Sequence, residues 1–496
     1  MRSIETDMED GARMIGRQST TCIAIPWRSY LPDMTPSEIF ELQKAHFLAH
    51  PNPPIAHRKG RLQALRKALM EREDELKEAL WKDFSKSSYE VELTEFLTTL
   101  VELDHTLRHL ARWMKPQRKP TPIVLIGTKT HVRCLPKGPS LMIAPWNYAV
   151  LLTLGPIIHA TAAGCPFVIK PSEHTAHAAG VLKRMIEEIY PPEEGAVFLG
   201  GADTATELLE LPFAHVHFTG SARVGRIVMK AAAQHLASVT LELGGKSPTY
   251  IDASADLANA AKGICFGKFS NAGQTCIAPD YLLVHREVAE RFKVELTSEI
   301  QRAYVPGTGD AELTAIITSD ELERQAELIQ DARDHGAQVL IGGRADSTSR
   351  RVEATLIMDP PVASRVMQEE IFGPILPFLV VDGVEDAIER IQRRPKPLST
   401  YVYAKSDAVM DRFSESIRTG AVCKNTTLLQ FVQPFGPFGG EGNSGIGRSH
   451  GEAGFRAFSN EQVVLRRRWG SWIMRLVMPP YSQRKSWIGK AFRRFT

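Results

Sequence analysis

The sequence predicts an α/β protein with two doubly wound parallel-sheet domains and a small oligomerisation hairpin. From about residue 139, short runs rich in β-branched residues alternate with amphipathic stretches of helical length. This alternation is typical of parallel strands covered by helices on both faces. A second series of the same kind runs from about residue 256 to 429, and 496 residues are enough for two or three domains.

The N-terminal third predicts an arm, helices and a hairpin, in that order. Residues 1–35 show no clear period and indicate a loosely held arm. From Thr35, and again over residues 58–114, apolar residues recur at three- and four-residue spacing, which predicts amphipathic helices. The runs IVLIG and THVRCL flank Gly127, so we expect a hairpin within residues 121–134.

The two later series supply the strands of the predicted sheets. In the first series, strands are expected at SLMIAPW, PFVIKPS, AVFLGG, HVHFTG and VTLELGG, with helices over 149–163, 176–190 and 224–235. In the second series, strands are expected at YLLVH, VLIGG, ILPFLVV and TYVYA. Short buried strands separated by helices form parallel sheets because each crossover helix returns the chain to the same edge.

Composition argues against several classes of protein. A net charge of +3 over 496 residues gives no chain-wide basic field, so nucleic acid is not an expected partner. The six cysteines are scattered without a C-x-x-C pair, which argues against a disulfide framework or a metal site. Neither a secretory signal nor a run of about 18 apolar residues is found, so we expect a cytoplasmic protein.

Three segments carry side chains suited to catalysis. Cys276 follows a small Gly-containing turn that could present a thiolate, Glu242 ends an apolar strand, and Asn147 follows another buried strand. A strand-end carboxylate that is partly desolvated acquires a raised pKa useful in a base, and an amide can donate to an oxyanion. Taken singly, a buried structural Cys, a solvated Glu and a turn Asn are the commoner explanations.

Seven motifs, which occur in a fixed order, favour the catalytic explanation of these three residues. They are PWNY, KPSE, FTGS-x-x-VG, LELGGKSP, NAGQTC, EEIFGP and PFGGEGNSGIG. In order and spacing the chain resembles the aldehyde dehydrogenase superfamily over roughly residues 36–465. The segments GQTCIAPDY and GNSGIG, together with a long C-terminal arm, resemble the class 3 branch, which acts on fatty and aromatic aldehydes.

The resemblance implies NAD(P)-dependent oxidation of an aldehyde to a carboxylic acid. Cys276 would attack the aldehyde, and Asn147 with the Cys276 N–H would stabilise the resulting oxyanion. Hydride transfer to the nicotinamide would leave a thioester. Glu242 would then act as the general base for its hydrolysis.

The resemblance also assigns cofactor contacts. Lys170 and Glu173 match positions at the adenosine ribose, and Glu370 and Phe372 match positions at the nicotinamide end. The remaining implied contacts are Trp146, Gly220, Ser221, Gly225 and Leu243. Gly220, Ser221 and Gly225 lie between a strand and a helix, where N–H groups favour a pyrophosphate. Glu173 should repel a 2′-phosphate, which favours NAD, with NADP possible.

The domain organisation follows from the same resemblance. We expect an NAD(P)-binding domain formed by residues 36–120 and 135–242, and a catalytic domain formed by residues 243–456. Segments 121–134 and 457–465 would bridge neighbouring subunits of a homodimer.

An aromatic-rich group of residues predicts a hydrophobic aldehyde as substrate, of medium or long chain or with an apolar body. The residues expected to line the substrate pocket are Tyr148, Leu151, Phe266, Phe431 and Phe438, with Phe435 nearby. Aromatic residues of this kind often belong to the ordinary core, and that alternative stays open.

The C-terminal arm, residues 466–496, holds nine Lys and Arg and no Asp or Glu. Apolar residues recur at helical spacing on both sides of Pro479 and Pro480. This pattern predicts two amphipathic helices that contact a membrane surface peripherally or pack on the enzyme. Sedimentation with anionic liposomes, before and after deletion of the arm, distinguishes these alternatives.

Two other functions would fit the same fold. In a CoA-acylating relative, CoA rather than water would resolve the thioester, and such relatives usually lack the Glu at the LELGG position, where this chain has Glu242. A non-catalytic protein with the same fold would be expected to lose Cys276, Glu242 or Asn147, and all three are present.

Overall fold

The computed structural model of the protein describes residues 34–304, 313–470, 478, 479 and 493. Helices α1 to α17 lie, in chain order, at Pro36–Ala49, Ile55–Glu71, Glu73–Phe84, Ser88–Val91, Leu97–Trp113, Ala149–Ala163, Ala176–Ile189, Ala202–Leu209, Ala222–Gln234, Leu257–Phe269, Ala289–Tyr304, Ser319–Asp334, Arg365–Gln368, Val384–Gln392, Asp407–Ser416, Leu429–Val432 and Gly451–Ala457. A π-helical turn lies at Glu92–Phe96, and 3₁₀ turns lie at Ile123–Leu125, Glu173–Thr175 and Ser270–Gly273.

Strands β1 to β18 lie at Gln117–Lys119, Thr128–Pro136, Ser140–Ile143, Phe167–Lys170, Gly195–Val197, His215–Gly220, Ser238–Leu243, Pro248–Ile251, Tyr281–His285, Gln338–Ile341, Ala345–Asp346, Arg351–Val352, Thr355–Met358, Ile375–Val381, Ser399–Tyr403, Ala421–Lys424, Gly445–Ile446 and Ser459–Arg467. Most of them belong to two large sheets.

The two large sheets confirm the predicted α/β class. The first has the order β17-β7-β6-β3-β4-β5, and the second has the order β10-β13-β14-β9-β8-β15-β16. Strands within each sheet are parallel except β17 and β10, which pair antiparallel at one edge. Each sheet has its own apolar cluster, because the helices on its faces bury one stripe of side chains. The predicted domain boundaries stay a prediction.

The predicted hairpin of IVLIG with THVRCL is wrong in its first strand. Ile123–Leu125 forms a 3₁₀ turn, and β2 pairs instead with β1 on one side and β18 on the other. Pro120 and Pro122 lack the N–H that a ladder needs, so the strand forms before them. Gly127, with φ of 89°, makes the turn into β2.

The long amphipathic stretch is divided into several helices. Ser85 ends α3 with φ of 54°, and a π-helical turn separates α4 from α5. The predicted helix over 149–163 is confirmed, and the left-handed Gly164 ends it. Among the described residues, no helix is long and apolar enough to cross a membrane. The N-terminal arm and most of the C-terminal arm lie outside the described residues.

A buried ion pair joins the π-helical turn to the start of α6. Lys86 Nζ lies 2.7 Å from Glu95 Oε1, and neither side chain is exposed. The second oxygen of Glu95 accepts the N–H of Val150 at 2.8 Å, which satisfies an otherwise unpaired donor in the first turn of α6. A carboxylate is also favourable near the positive end of that helix.

Removal of one partner of the Lys86–Glu95 ion pair should destabilise the folded protein, because the other charge would stay buried. We expect Lys86→Met to lower the free energy of unfolding by about 3–5 kcal/mol, since Glu95 would remain as an unpaired buried charge. The urea midpoint, followed by fluorescence, measures this change. Lys82→Met is the matched control, because the Lys82–Glu78 pair is exposed to solvent. An equal shift of the midpoint in both variants would contradict this prediction.

Candidate active site

Cys276 follows a loop whose backbone is strained. Asn271, Ala272 and Gly273 have φ values of 53°, 52° and 73°, a left-handed run that side-chain-bearing residues rarely adopt. Asn271 Nδ2 donates to the carbonyl of Asn147 at 2.9 Å and to that of Gln274 at 3.1 Å. The Asn271 N–H donates to the Glu90 carboxylate. These contacts fix the turn that places Cys276.

Gln274 is a positioning residue that the sequence analysis missed. Its side chain is buried, and Nε2 donates to the carbonyls of Asn271 at 3.0 Å and Ala315 at 3.1 Å. Its Oε1 accepts the N–H of Ile317 at 3.1 Å. Gln274 belongs to the NAGQTC motif, but its partners Ala315 and Ile317 are 41 and 43 residues away and could not be inferred from spacing.

Asn147 lies between β3 and α6, next to this loop. Its Nδ2 donates to the Gln274 carbonyl at 3.0 Å, and the residue is buried. Because an amide nitrogen carries two hydrogens, that bond leaves one hydrogen for another acceptor. Asn147 and Cys276 line the same cavity, so the second hydrogen is suited to an oxyanion formed at the sulfur.

Glu242 is a buried carboxylate on β7, which is flanked by β6 and β17. Oε1 accepts a hydrogen bond from Ser449 Oγ at 3.0 Å, and Oε2 has no hydrogen-bond partner among the described residues. Burial raises the pKa of Glu242 to about 8, although Ser449 and the charge of Arg448 oppose the shift. Such a group can both accept and release a proton near neutral pH.

Cys276 is partly buried in an environment that disfavours its thiolate. Burial raises the pKa of Cys276 to about 12, with further contributions from the charges of Glu370 and Glu242. The N–H groups of Cys276 and Ile277 oppose the shift without cancelling it. The sulfur therefore carries its proton at neutral pH, and the reaction needs a nearby acceptor for that proton.

A second carboxylate, Glu370, lines the same cavity as Cys276 and Glu242. Burial raises the pKa of Glu370 to about 7, and the N–H of Gly245 is the largest opposing contribution. A Cβ on Gly244 would overlap the Glu370 carboxyl group, so only glycine allows this approach. Phe372 follows with φ of 49°, and its ring lies edge-on to Trp146 at 5.5 Å.

A cavity of about 470 Å³ contains most of the predicted cofactor contacts. The predicted residues that line it are Trp146, Gly220, Ser221, Leu243, Glu370 and Phe372. It also reaches Asn147, Glu242 and Cys276. Ser221 caps the N-terminus of α9, where unpaired N–H groups favour a phosphate. The lining therefore fits a dinucleotide, with an anion site and an aromatic wall.

Three predicted cofactor residues do not line this cavity. Lys170 Nζ donates to Glu173 at 2.9 Å and to the carbonyl of Gly200 at 2.6 Å. Gly225 packs against Leu243, where a Cβ would lie only 2.8 Å from a Leu243 methyl carbon. Gly225 thus keeps α9 close to the end of β7.

A separate apolar cavity of about 270 Å³ opens onto Cys276. Four of the predicted substrate residues line it, namely Tyr148, Leu151, Phe266 and Phe431. Leu93 and Leu97, on the π-helical turn and α5, also line it and were not predicted. Nothing in a helical repeat distinguishes a residue that faces a cavity from one that faces the core.

The other two predicted aromatics lie elsewhere. Phe438 lines a smaller cavity that contains both Glu242 and Cys276, and its ring lies 4.8 Å from that of Phe431. Phe435 is 70% exposed, packs against His105 and His109, and does not line any of these cavities.

Tyr148 connects the substrate cavity to the buried ion pair. Its hydroxyl lies 2.7 Å from Thr275 Oγ1, one residue before Cys276. Lys86 Nζ lies 4.1 Å from the centre of its ring, a distance suited to a cation–π contact. Burial raises the pKa of Tyr148 well above its usual value, so the phenol stays neutral.

Comparison with known proteins identifies relatives over nearly the whole chain. A sequence profile described as Aldehyde dehydrogenase family matches residues 37–464. The chain is 38% identical to 4,4'-diaponeurosporen-aldehyde dehydrogenase of Staphylococcus aureus, over 85% of this chain and 92% of that protein. It is 39% identical to human aldehyde dehydrogenase family 3 member B1, over 87% of this chain and 92% of that protein.

A solved structure shows the same fold. The substrate-bound state of Staphylococcus aureus AldH superposes with a TM-score of 0.88 at 37% identity. The match covers 92% of this chain and 100% of that chain. The two-sheet architecture is therefore shared with an aldehyde dehydrogenase.

The raised thiol pKa predicts how Cys276 reacts in the free protein. Because the thiolate forms only near pH 12, we expect alkylation by iodoacetamide to accelerate with pH up to at least pH 10 without a plateau. Mass spectrometry of the Cys276 peptide measures the rate. Glu370→Gln and Glu242→Gln each remove a nearby negative charge and should speed the reaction at pH 8. A plateau below pH 8 in the unsubstituted protein would contradict this expectation.

Proposed function

Because this chain belongs to the aldehyde dehydrogenase family, and is an NAD(P)-dependent enzyme of that family, we propose that it oxidises a hydrophobic aldehyde through a thioester on Cys276. One observation carries the proposal. Cys276 lines three cavities at once: the one suited to a dinucleotide, the apolar one, and the one that holds Glu242. A covalent intermediate at this sulfur can reach the substrate, the cofactor and the base without leaving its place.

Formation of the thioester begins with loss of the thiol proton. Glu242 lines two of the cavities that contain Cys276, and its carboxylate form can accept that proton. The sulfur then bonds to the aldehyde carbon, and the oxygen becomes an anion within reach of Asn147 and the Cys276 N–H. NAD(P)⁺, when bound, supplies the hydride acceptor that converts this anion into a thioester.

Hydrolysis uses Glu242 a second time. Glu242 first passes the thiol proton on and regains its carboxylate form. Water then attacks the thioester carbon and gives a proton to Glu242, which returns it to the sulfur as the C–S bond breaks and the carboxylic acid leaves. The pKa of about 8 makes the carboxyl group a stronger base than an exposed glutamate. The fraction of Glu242 in its carboxylate form increases as pH rises through 8, so hydrolysis should accelerate over that range.

Residues of the dinucleotide-shaped cavity would hold the cofactor. The N-terminus of α9 at Ser221 would bind the pyrophosphate, and Glu370 and Phe372 would contact the nicotinamide end. Lys170 and Glu173 remain proposed contacts to the adenosine ribose. A carboxylate at Glu173 favours ribose hydroxyls and disfavours a 2′-phosphate, which supports a preference for NAD.

The apolar cavity supports a hydrophobic substrate of medium or long chain. Leu93, Leu97, Tyr148, Leu151 and Phe266 offer little to hydrogen-bond a polar body. The name of the Staphylococcus aureus relative refers to an aldehyde of the diaponeurosporene type. Transfer of each buried methylene from water contributes about 0.8 kcal/mol, so added length should improve recognition until the cavity is full.

A homodimer is the proposed assembly, through β18 and the β1–β2 hairpin. Val463 and Leu465 on β18 and Ile123 and Ile126 beside the hairpin are exposed apolar side chains. Val463 and Leu465 belong to the three-stranded sheet with the order β1-β2-β18, and Ile123 and Ile126 lie in the connection between β1 and β2. Sedimentation equilibrium of the protein, and of a Val463→Glu variant, tests this proposal, which a monomeric unsubstituted protein would contradict.

Two substitutions separate the halves of the reaction. Cys276→Ala should abolish NADH formation, with at least a hundredfold loss of turnover, because no thioester can form. Glu242→Gln should retain NADH formation in a first turnover at high pH, with the thioester accumulating. Stopped-flow absorbance and mass spectrometry of the acylated protein measure both effects. Full steady-state activity of Glu242→Gln would remove this residue from the proposed role.

Substrate length tests the apolar cavity. We expect kcat/KM for decanal to exceed that for acetaldehyde by at least tenfold, since about 1.4 kcal/mol of extra apolar burial already gives that factor. Leu97→Asp should reduce kcat/KM for decanal far more than for acetaldehyde. A higher kcat/KM for acetaldehyde in the unsubstituted enzyme would contradict the proposed substrate class.

A further inference from the structure

The cavity of about 50 Å³ that contains Glu242 also contains an unusual group of buried polar side chains. Its walls come from α5, α6, β6, β7 and the segment before α17, and its polar lining is Thr98, Glu102, His159, His217, Thr219, Glu242 and Ser449, with His450 beside them. A buried water needs roughly 10–15 Å³ of such space and two to four polar partners. The cavity satisfies both requirements.

One face of α6 brings His159 to this cavity. Leu152, Gly155, Pro156 and His159 all line it, and they recur at spacings of three and four residues. Gly155 leaves room on this face, since a Cβ built there meets nothing within 4 Å. Gly454 of α17 allows α6 to approach, because a Cβ there would overlap the His159 ring.

His159 is paired with a buried carboxylate. Its Nε2 lies 2.9 Å from Glu102 Oε1, and the two side chains are only 3% and 8% exposed. Glu102 Oε1 also accepts the Gly451 N–H at 2.8 Å. Burial would raise the pKa of Glu102, but the hydrogen bonds from His159 and the Gly451 N–H, together with the positive charges that His159 and His450 carry at low pH, lower it to about 2. Glu102 is therefore an anion.

This pairing fixes the tautomer of a neutral His159. With Nε2–H donating to Glu102, the other ring nitrogen, Nδ1, is left as a proton acceptor. Nδ1 is buried and has no hydrogen-bond partner among the described residues. The same holds for His217 Nδ1 and Glu242 Oε2, so three unpartnered polar atoms belong to residues around one cavity. Unpartnered buried atoms of this kind commonly bind water.

The neighbouring histidines contribute no competing positive charge. Burial lowers the pKa of His217 to about 3 and that of His450 to about 4, so both rings are neutral. His450 is held between Phe431 and Phe438, with its ring stacked on Phe438 at 5.0 Å. Glu102, His159 and His217 do not form a cluster suited to a metal ion. A proton is the charge that this group can take up.

We propose that the Glu102–His159 pair receives, through water held in this cavity, the thiol proton that Glu242 gains during thioester formation and must lose before hydrolysis. The inference rests on the proposed function, since it concerns the fate of that proton. The protons balance: the Cys276 thiol gives one proton to Glu242, Glu242 gives one proton to the cavity water, and that water gives one proton to His159 Nδ1, so Glu242 is a carboxylate again when hydrolysis begins. Glu102 stabilises the resulting imidazolium, as a carboxylate does in a hydrolase triad.

The proton then leaves through the substrate cavity. Thr98, Leu151, Leu152, Phe431 and Val432 line both that cavity and the cavity of Glu242. Once the acid has departed, bulk water reaches this shared wall and accepts the proton from His159. His159 can then accept the thiol proton of the next turnover.

His159→Gln tests the relay, because Gln can still donate to Glu102 but has no nitrogen that titrates. We expect hydrolysis of the acylated enzyme to slow about tenfold, with the first-turnover rate of NADH formation unchanged within twofold. Rapid quenching and mass spectrometry of acylated Cys276 measure hydrolysis, and stopped-flow absorbance measures NADH. The solvent deuterium isotope effect on hydrolysis should rise, because proton transfer becomes limiting.

His215→Gln is the matched control. His215 is as buried as His217, lies two residues earlier on β6 and bonds to Ser238 and Thr240, but does not line the cavity. We expect the ratio of hydrolysis to NADH formation to be unchanged in this variant. A general loss of packing would alter both variants in the same way.

A second test changes no polar group. Gly155→Leu places its side chain in the space beside His159 and should exclude water, so hydrolysis should slow as it does in His159→Gln. Gly155→Ala adds only one carbon and should slow hydrolysis less. Agreement between Gly155→Leu and His159→Gln supports transfer through water in the cavity.

The outcomes are distinguishable. Unchanged hydrolysis in His159→Gln, or an equal loss of hydrolysis and NADH formation, overturns the relay while leaving the proposed function intact. A rapid hydrolysis rate in Gly155→Leu overturns the role of cavity water. Absence of NADH formation by the unsubstituted enzyme with every aldehyde tested would instead overturn the proposed function, and the relay with it.

Discussion

The geometry of the site depends on the hydrogen bonds of Gln274. Its side chain joins Asn271 to the backbone of Ala315 and Ile317, and its carbonyl accepts both Asn147 and Asn271. The left-handed backbone costs roughly 1–2 kcal/mol at each of Asn271 and Ala272, which carry a Cβ, and each hydrogen bond returns about 0.5–1.5 kcal/mol. Loss of the Gln274 side chain would also leave buried N–H and C=O groups without partners, so the strained loop persists only as part of this network.

The buried carboxyl groups of Glu242 and Glu102 have very different pKa values because their hydrogen-bond partners differ. Glu242 accepts one hydroxyl hydrogen bond, and burial dominates, so its pKa rises to about 8. Glu102 is equally buried, but it accepts hydrogen bonds from His159 and the Gly451 N–H, and its pKa falls to about 2. One of the two can therefore exchange a proton during turnover, while the other holds a fixed negative charge.

Helices with a clear apolar period, and side chains within short motifs, could be predicted from the sequence. The helix over 149–163 could be predicted because its apolar residues and Gly164 mark both its body and its end, and Cys276, Glu242 and Asn147 lie in short motifs. The first strand of the predicted hairpin is wrong because the apolar residues at Ile123–Leu125 favour a strand, whereas the prolines before them prevent strand pairing. His159 could not be found, since its partner Glu102 is 57 residues away and only the packing of α5 on α6 brings the two together.

The shared walls of the cavities couple substrate choice to water access. Leu151, Leu152, Phe431 and Val432 separate an apolar space from a polar one, and both meet at Cys276. An aldehyde with a long apolar body would fill the larger space and keep bulk water from the thioester, leaving water at Glu242 as the nucleophile. The thiol proton that Glu242 has accepted cannot pass to solvent while the acyl group or the product fills the entrance. A buried acceptor such as the Glu102–His159 pair resolves this difficulty, because it stores the proton until the product leaves.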